Sequence, residues 1–160
     1  MTPVAKLPWE MALEIIAVIA IVANVLLVIR YWSELPATVP MHFNIRGEAD
    51  LFGPKVTIWI GPAIALAGYI LMTFLAKNPA NWNYPVPINP ENAKIQAQIA
   101  WALLMSMKAE MTLLLGFIEW QVIRVALGKA ETVNVLGIFA LVGLLIATSI
   151  YYLLQAMANK

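Results

Sequence analysis

The sequence predicts an all-α protein: a bundle of four transmembrane helices with a structured loop between the first and the second. Three observations carry that prediction. Of the 160 residues, 62% are apolar and 12% are charged, whereas an average soluble domain is about half apolar and about a quarter charged. Mean hydropathy is +0.79. Apolar runs of about 20 residues, long enough to cross a hydrocarbon core as a helix, recur along the whole chain. Too little polar surface remains to cover a soluble globule. A soluble enzyme, a disordered segment and a coiled coil are excluded, leaving one integral membrane domain over residues 1–160.

The first span runs over 11–29, with Glu14 and Asn24 as its only strongly polar members. Glu10 and Glu14 sit before and inside a run long enough to cross, so the segment reads as a retained anchor rather than a cleaved signal peptide. Pro8 suits a first helical turn and Trp9 an interface. The second span, 56–75, has no charge. The third, 97–123, contains Lys108, Glu110 and Glu119. Asn89-Pro90-Glu91 reads as its start, with a capping Asn, a Pro at the first position and an acid in the first turn. Gly128 reads as its stop. Such a helix is about 58 Å long at 1.5 Å per residue, so its first two to three turns project beyond a core of about 30 Å or lie along the membrane surface. Glu131-Thr132 opens the fourth span, 133–154, which is uncharged.

Four spans put both termini on one side. That side, with the second loop, holds Lys6, Lys77, Lys94 and Lys160, and the other holds Arg30, Arg46, Lys55, Arg124 and Lys129. Basic residues are too evenly divided for a positive-inside argument. Trp9, Tyr31, Trp32, Trp82, Tyr84, Tyr151 and Tyr152 mark the interfaces. Gly61 with Ala65, and Gly143 with Ala147, give small-residue spacing for close helix approach. A net charge of +1 and the absence of a basic cluster exclude nucleic acid as a partner. With no cysteine, disulfides, iron–sulfur clusters, Cys-ligated zinc and thiol catalysis are excluded.

The first loop, 30–55, is too rich in special residues to be a plain connector. Pro36 and Pro40 fix an extended entry. Gly47 permits a turn with positive φ. Between them lie the one histidine of the chain, His42, and the amide of Asn44, followed by Glu48 and Asp50. This pattern implies a short folded motif that caps the helix ends on the side opposite the termini.

At these residues a resemblance emerges. Leu35-Pro36, then Val39-Pro40-x-His42-Phe43-Asn44, then Gly47-Glu48-x-Asp50, then Lys55 before an apolar helix, resembles the signature of the bacterial and archaeal membrane family called domain of unknown function 1648. In the second loop, Asn83-Tyr84-Pro85-Val86, then Asn92 and a long helix with Lys108, is similar to the family's continuation. The resemblance covers roughly residues 30 to 125. Its best-known members are SdpI-type immunity proteins, which protect a cell from its own secreted toxin peptide and report that peptide to a repressor. SdpI-type proteins carry further helices after this region. The resemblance therefore implies the fold of the first half more than it implies immunity, and it implies a prokaryotic plasma membrane.

Two sets of residues could carry chemistry. His42, with Glu48 and Asp50 near it, offers a metal ligand or proton acceptor. A structural role outweighs that one, because zinc takes three or four ligands rich in His or Cys, and no EF-hand spacing supports calcium. The second set lies within the spans, where ionisable groups cost about 2.5–3.5 kcal/mol each and face a partner or a wet cavity. Lys108 and Glu119 fall within about 20° on one face but about 16 Å apart along the axis, so each needs a partner elsewhere. Glu14 and Asn24 of the first span are candidates, with the acids of the first loop for whichever charge lies near that side. Glu110 points roughly opposite to Glu119 and needs its own partner. A polar track along the third helix competes with interhelical glue as the role of these groups. Glue is favoured for Glu14 and Glu119. No phosphate loop, nucleophile elbow, His-Glu-x-x-His pair or haem-ligand pair is present, and Met105, Met107 and Met111 read as packing rather than copper ligands. No catalytic residue, metal or cofactor is expected.

The expected function is a non-enzymatic multi-pass membrane protein, an SdpI-like binding, sensing or immunity module for a peptide or small ligand. His42, Asn44, Gly47, Glu48 and Asp50 would meet the ligand, and Lys108 with Glu110 would couple it to the helices. Two rivals stand beside it. One is an accessory subunit of a larger membrane complex, or an oligomer. The other is a small transporter or channel unit using Lys108, Glu110 and Glu119 as a relay.

Overall fold

The computed structural model describes residues 8–78 and 82–160; Lys6, counted above among the basic residues, lies outside them. Four long helices are present: α1 (Pro8–Tyr31), α2 (Ile60–Ala76), α3 (Ala93–Ala126) and α4 (Val135–Ala158). Each is long and apolar enough to cross a membrane, α2 together with the short 3-10 helix Lys55–Trp59 that leads into it. The first loop contains a two-stranded antiparallel hairpin, β1 (Thr38–Phe43) and β2 (Ala49–Pro54).

On α1 the buried residues are Glu10, Ala17, Ile21, Asn24 and Val28. Their spacing of three, four and seven keeps them on one face of a 3.6-residue helix. Ile15, Ile19, Val22 and Leu26 face outward, which lipid accepts without cost because its tails are as apolar as the side chains. The 34-residue α3 is the hub: α1, α2 and α4 all pack against it. At about 51 Å it is longer than a core of about 30 Å. Among the helices α4 packs mainly on α3, so the bundle is centred on one helix rather than on a shared four-way axis.

Two helix starts differ from the sequence reading. Asn89 does cap, but it caps a turn ahead of α3: its Oδ1 accepts from the backbone N–H of Glu91 and Asn92 at 2.9 and 2.8 Å. The helix proper begins at Ala93. Glu131-Thr132 does not open α4, because Thr132 is bridged to Glu48 of the hairpin. The cap falls instead to Asn134, whose Oδ1 accepts from the Gly137 N–H at 2.9 Å. Gly128 ends α3 as expected, with φ +67° and its N–H donated to the Val125 carbonyl.

The tightest apolar cluster lies under the hairpin. Val28 of α1, Leu35, Val39 of β1, Ile58 and Ile123 of α3 are buried together, with Tyr31, Trp59 and Leu127 against them. Burying a side chain of this size stabilises by about 1.5–3 kcal/mol, so the cluster clamps the loop onto the ends of α1 and α3.

Candidate functional site

The hairpin is built from residues that satisfy one another. At its turn, the Gly47 N–H donates to the Asn44 carbonyl at 2.9 Å and the Asn44 N–H donates to the Glu48 carbonyl at 2.9 Å. Asn44 Oδ1 accepts from the N–H of Arg46 at 2.8 Å and of Glu48 at 3.2 Å, the geometry by which a short amide side chain replaces a backbone turn. Glu48 Oε2 accepts from Asn44 Nδ2 at 2.7 Å and from Arg46 Nε and Nη2 at 3.1 and 3.0 Å. The amide of Asn44, and then the Arg46 guanidinium, hold the Glu48 carboxyl below its ordinary range. Gly47 has φ +80°, and a Cβ there would lie 2.6 Å from the Val133 carbonyl oxygen. That close approach lets the Val133 N–H donate to the Gly47 carbonyl at 2.9 Å. Asn44, Gly47 and Glu48 thus fold the turn and tie it to the α3–α4 connection.

His42 and Asp50 are placed differently. They sit on the two strands with His42 Nδ1 and Asp50 Oδ1 2.6 Å apart, and both side chains are exposed. On the same hairpin Met41, Ile45, Leu51 and Phe52 are also exposed, Ile45 at the tip to 84%. Among the described residues no three His, Asp or Glu side chains converge in a way that would hold a metal ion.

Two of the intramembrane charges, Lys108 and Glu14, meet away from the hairpin. Lys108 is 1% exposed. Its Nζ donates to both carboxylate oxygens of Glu14, at 2.8 and 2.7 Å, and to Thr73 Oγ1 at 3.0 Å. The Tyr69 hydroxyl donates to Glu14 Oε1 at 2.6 Å, and the Tyr69 ring lies 4.2 Å below the ammonium. Three helices are joined by one ion pair and its donors. The network borders a cavity of about 170 Å3 with Ala76, Lys77, Trp101 and Met105. Along α1, Glu14 and the hairpin-packed Val28 are about 21 Å apart. The hairpin and Lys108 therefore belong to separate sites.

The other polar residues of the spans are scattered. Glu110 faces α4, where the Thr148 hydroxyl donates to its Oε1 at 2.6 Å. Glu119 is buried with its carboxylate against Gly61 of α2, where a Cβ would collide with Oε2. Asn24 is buried, and neither its Oδ1 nor its Nδ2 has a hydrogen-bond partner among the described residues. It lines a groove of about 300 Å3 between α1 and α3 with Ala20, Ala23, Thr112 and Gly116.

Sequence reasoning placed Glu14 among the partners of Lys108 but passed over Tyr69 and Thr73, because α2 has no charge. Their signal was spacing: two hydroxyls four residues apart lie on one face of an otherwise apolar helix. Gln96 was passed over as well. It is buried, and its Nε2 donates to the Ala156 and Asn159 carbonyls, each at 2.8 Å, closing the end of α4.

No curated protein and no solved structure matches the chain. The first part does match a family model, and the matched segment takes in the hairpin and Asn24 while leaving out Glu14, Tyr69, Thr73 and Lys108. Residues 18–66, from within α1 through the hairpin into α2, match the family described as Domain of unknown function (DUF1648).

Proposed function

We propose that the chain is a non-enzymatic membrane receptor of the SdpI-like immunity kind, residing in a prokaryotic plasma membrane, which takes a peptide ligand on the outer face of its hairpin. One observation carries this reading. The turn residues spend their hydrogen bonds on one another and on the α3–α4 connection, while the His42–Asp50 pair and the apolar side chains of Met41, Leu51 and Phe52 on the same two strands are left exposed. A fixed frame that exposes both a polar pair and apolar side chains suits a peptide, which offers backbone donors and acceptors beside apolar side chains. In this reading His42 and Asp50 touch the ligand, and Asn44, Gly47 and Glu48 position them. The Glu14–Lys108 pair fixes the helices so that a load on the hairpin is passed to α3 through Ile123.

The test is survival. Cells expressing the full chain are challenged with the toxin peptides secreted by sister strains. Protection is expected from the intact chain and is lost in His42→Ala and Asp50→Ala at unchanged membrane levels. If the intact chain protects no better than an empty vector, the immunity reading falls. The second reading, an accessory subunit, draws support from α4, which leaves most of its surface free beyond its contact with α3. It predicts stoichiometric membrane partners after extraction in mild detergent.

A further inference from the structure

On the hairpin side, α1 ends at Tyr31, the segment leading into α2 begins at Lys55, and α3 ends at Ala126. Val28, Ile58 and Ile123 pack together near these ends, which sets them at one level. Five cations lie on this side: Arg30, Arg46, Lys55, Arg124 and Lys129. Three of them have acids. Arg30 and Lys129 share Glu34, and Arg46 holds Glu48. Lys55 and Arg124 have no carboxylate within ion-pairing distance among the described residues. Residues 1–7 and 79–81, outside that set, contain no Asp or Glu.

Both unpaired cations lie over tryptophans instead. Lys55 Nζ is 4.6 Å from the centre of the Trp32 ring, and the Arg124 guanidinium carbon is 5.1 Å from that of Trp120. Trp32 and Trp120 are themselves exposed. Tryptophan at the end of a spanning helix settles at the depth of the lipid headgroups, and long basic side chains carry their charge to that depth. Each charge therefore meets lipid phosphate where the protein supplies no acid. Lys55 is also fixed to the base of the hairpin, its backbone N–H donating to the Ala37 carbonyl at 2.9 Å. We propose that Lys55 and Arg124 each bind the phosphate of an anionic phospholipid in the leaflet on the hairpin side. A zwitterionic lipid brings its own ammonium beside the phosphate and competes with these side chains; an anionic lipid does not. The three paired cations already have their countercharge and take no part.

The experiment uses the full chain in lipid nanodiscs, labelled with 5-fluorotryptophan, with the Trp32 and Trp120 resonances assigned by their loss in Trp32→Phe and Trp120→Phe. The discs run from pure phosphatidylcholine to rising fractions of phosphatidylglycerol. Both resonances are expected to shift saturably. Lys55→Gln is expected to raise the fraction that gives half of the Trp32 shift about fivefold, the effect of one cation at an anionic membrane surface, and to leave the Trp120 curve in place. Arg124→Gln should do the reverse. Arg30→Gln, which removes a paired cation, should leave both curves in place. Inorganic phosphate added to the phosphatidylcholine discs should move neither resonance, because the bound anion is the lipid's. A shift that rises without saturating, a Trp32 curve unchanged by Lys55→Gln, or an equal effect of Arg30→Gln marks a diffuse surface potential and overturns the proposal. A shift with phosphate alone marks a site for free anions and overturns it as well. The lipid and phosphate titrations of the parent chain decide the matter even if a charge variant does not fold.

Discussion

The hairpin turn and the Glu14–Lys108 network use the same groups in opposite surroundings. Both join a carboxylate to a cation and to uncharged donors. At the turn, the Arg46 and Glu48 side chains are 75% and 49% exposed, water screens the pair, and exposed pairs of this kind contribute about 0–1 kcal/mol. In the network, Lys108 is 1% exposed and lies between three helices. There the pair was costly to bury, and removing either member takes from the other the counter-ion it meets inside the bundle. The turn's ion pair shapes a surface; the network's ion pair decides whether three helices stay in register.

Lys108→Met separates the two regions most sharply. It removes the buried ammonium that Glu14 meets and is expected to cost about 3–5 kcal/mol, read from unfolding in mixed micelles. Glu14→Gln added to Lys108→Met should recover part of that loss, because the carboxylate charge is gone as well. A single variant within about 1 kcal/mol of the parent would show the pair to be no more than a surface ion pair in energy.

Next in size is Leu35→Ala, which opens the apolar cluster beneath the hairpin at an expected cost of about 2–5 kcal/mol. Its signature should be local. Amide exchange is expected to accelerate in β1 and β2 while the helices near Lys108 keep their protection. Acceleration spread evenly over both ends would erase the distinction between them.

Gly47→Ala is smaller, about 1–3 kcal/mol, since it forces a Cβ at φ +80° against the Val133 carbonyl. The expected readout is faster exchange of the Val133 amide, whose acceptor is Gly47. His42→Ala is smaller still for stability, within about 1 kcal/mol because the side chain is exposed, yet it is the change expected to remove ligand response.

The gentlest test is acid. The Glu48 carboxyl titrates lower in the fold than its ordinary value of 4.5. Its contribution is therefore fully present above that value and is lost as pH falls through the lowered one. Protection of the turn amides, taken relative to their intrinsic exchange rate at each pH, should fall as pH drops below about 4.5, and Glu48→Gln should remove the dependence. A turn equally protected on both sides of that window would show that Glu48 does not hold it.

The four spans were legible because twenty apolar residues in a row have few other uses. The importance of the first loop was legible too, in Pro40, His42 and Gly47. Its strands were not. Each has six residues, β1 breaks register between Pro40 and Phe43, and β2 leaves three successive residues exposed, so neither carries the alternation that marks a half-buried strand. Lys108 announced itself by its charge, and Glu14 stood among several candidate partners that sequence alone does not separate. Tyr69 and Thr73 stayed hidden because a hydroxyl in an apolar helix is commonplace until a charge is placed beside it. The start of α4 was misread because Glu131-Thr132 has the right local chemistry, and only a distant segment, Glu48, claims Thr132 for another use.

The bond from Val133 to Gly47 and the bridge from Thr132 to Glu48 reach across the whole of α2 and α3. During synthesis the hairpin emerges long before the residues that tie it down. The turn can close locally and the strands can settle on the apolar cluster with Ile58 and Ile123, but the ties at the tip must wait until the ribosome has released the start of α4. A chain halted before Thr132 would therefore hold its hairpin by the apolar cluster alone, with the turn left unlatched.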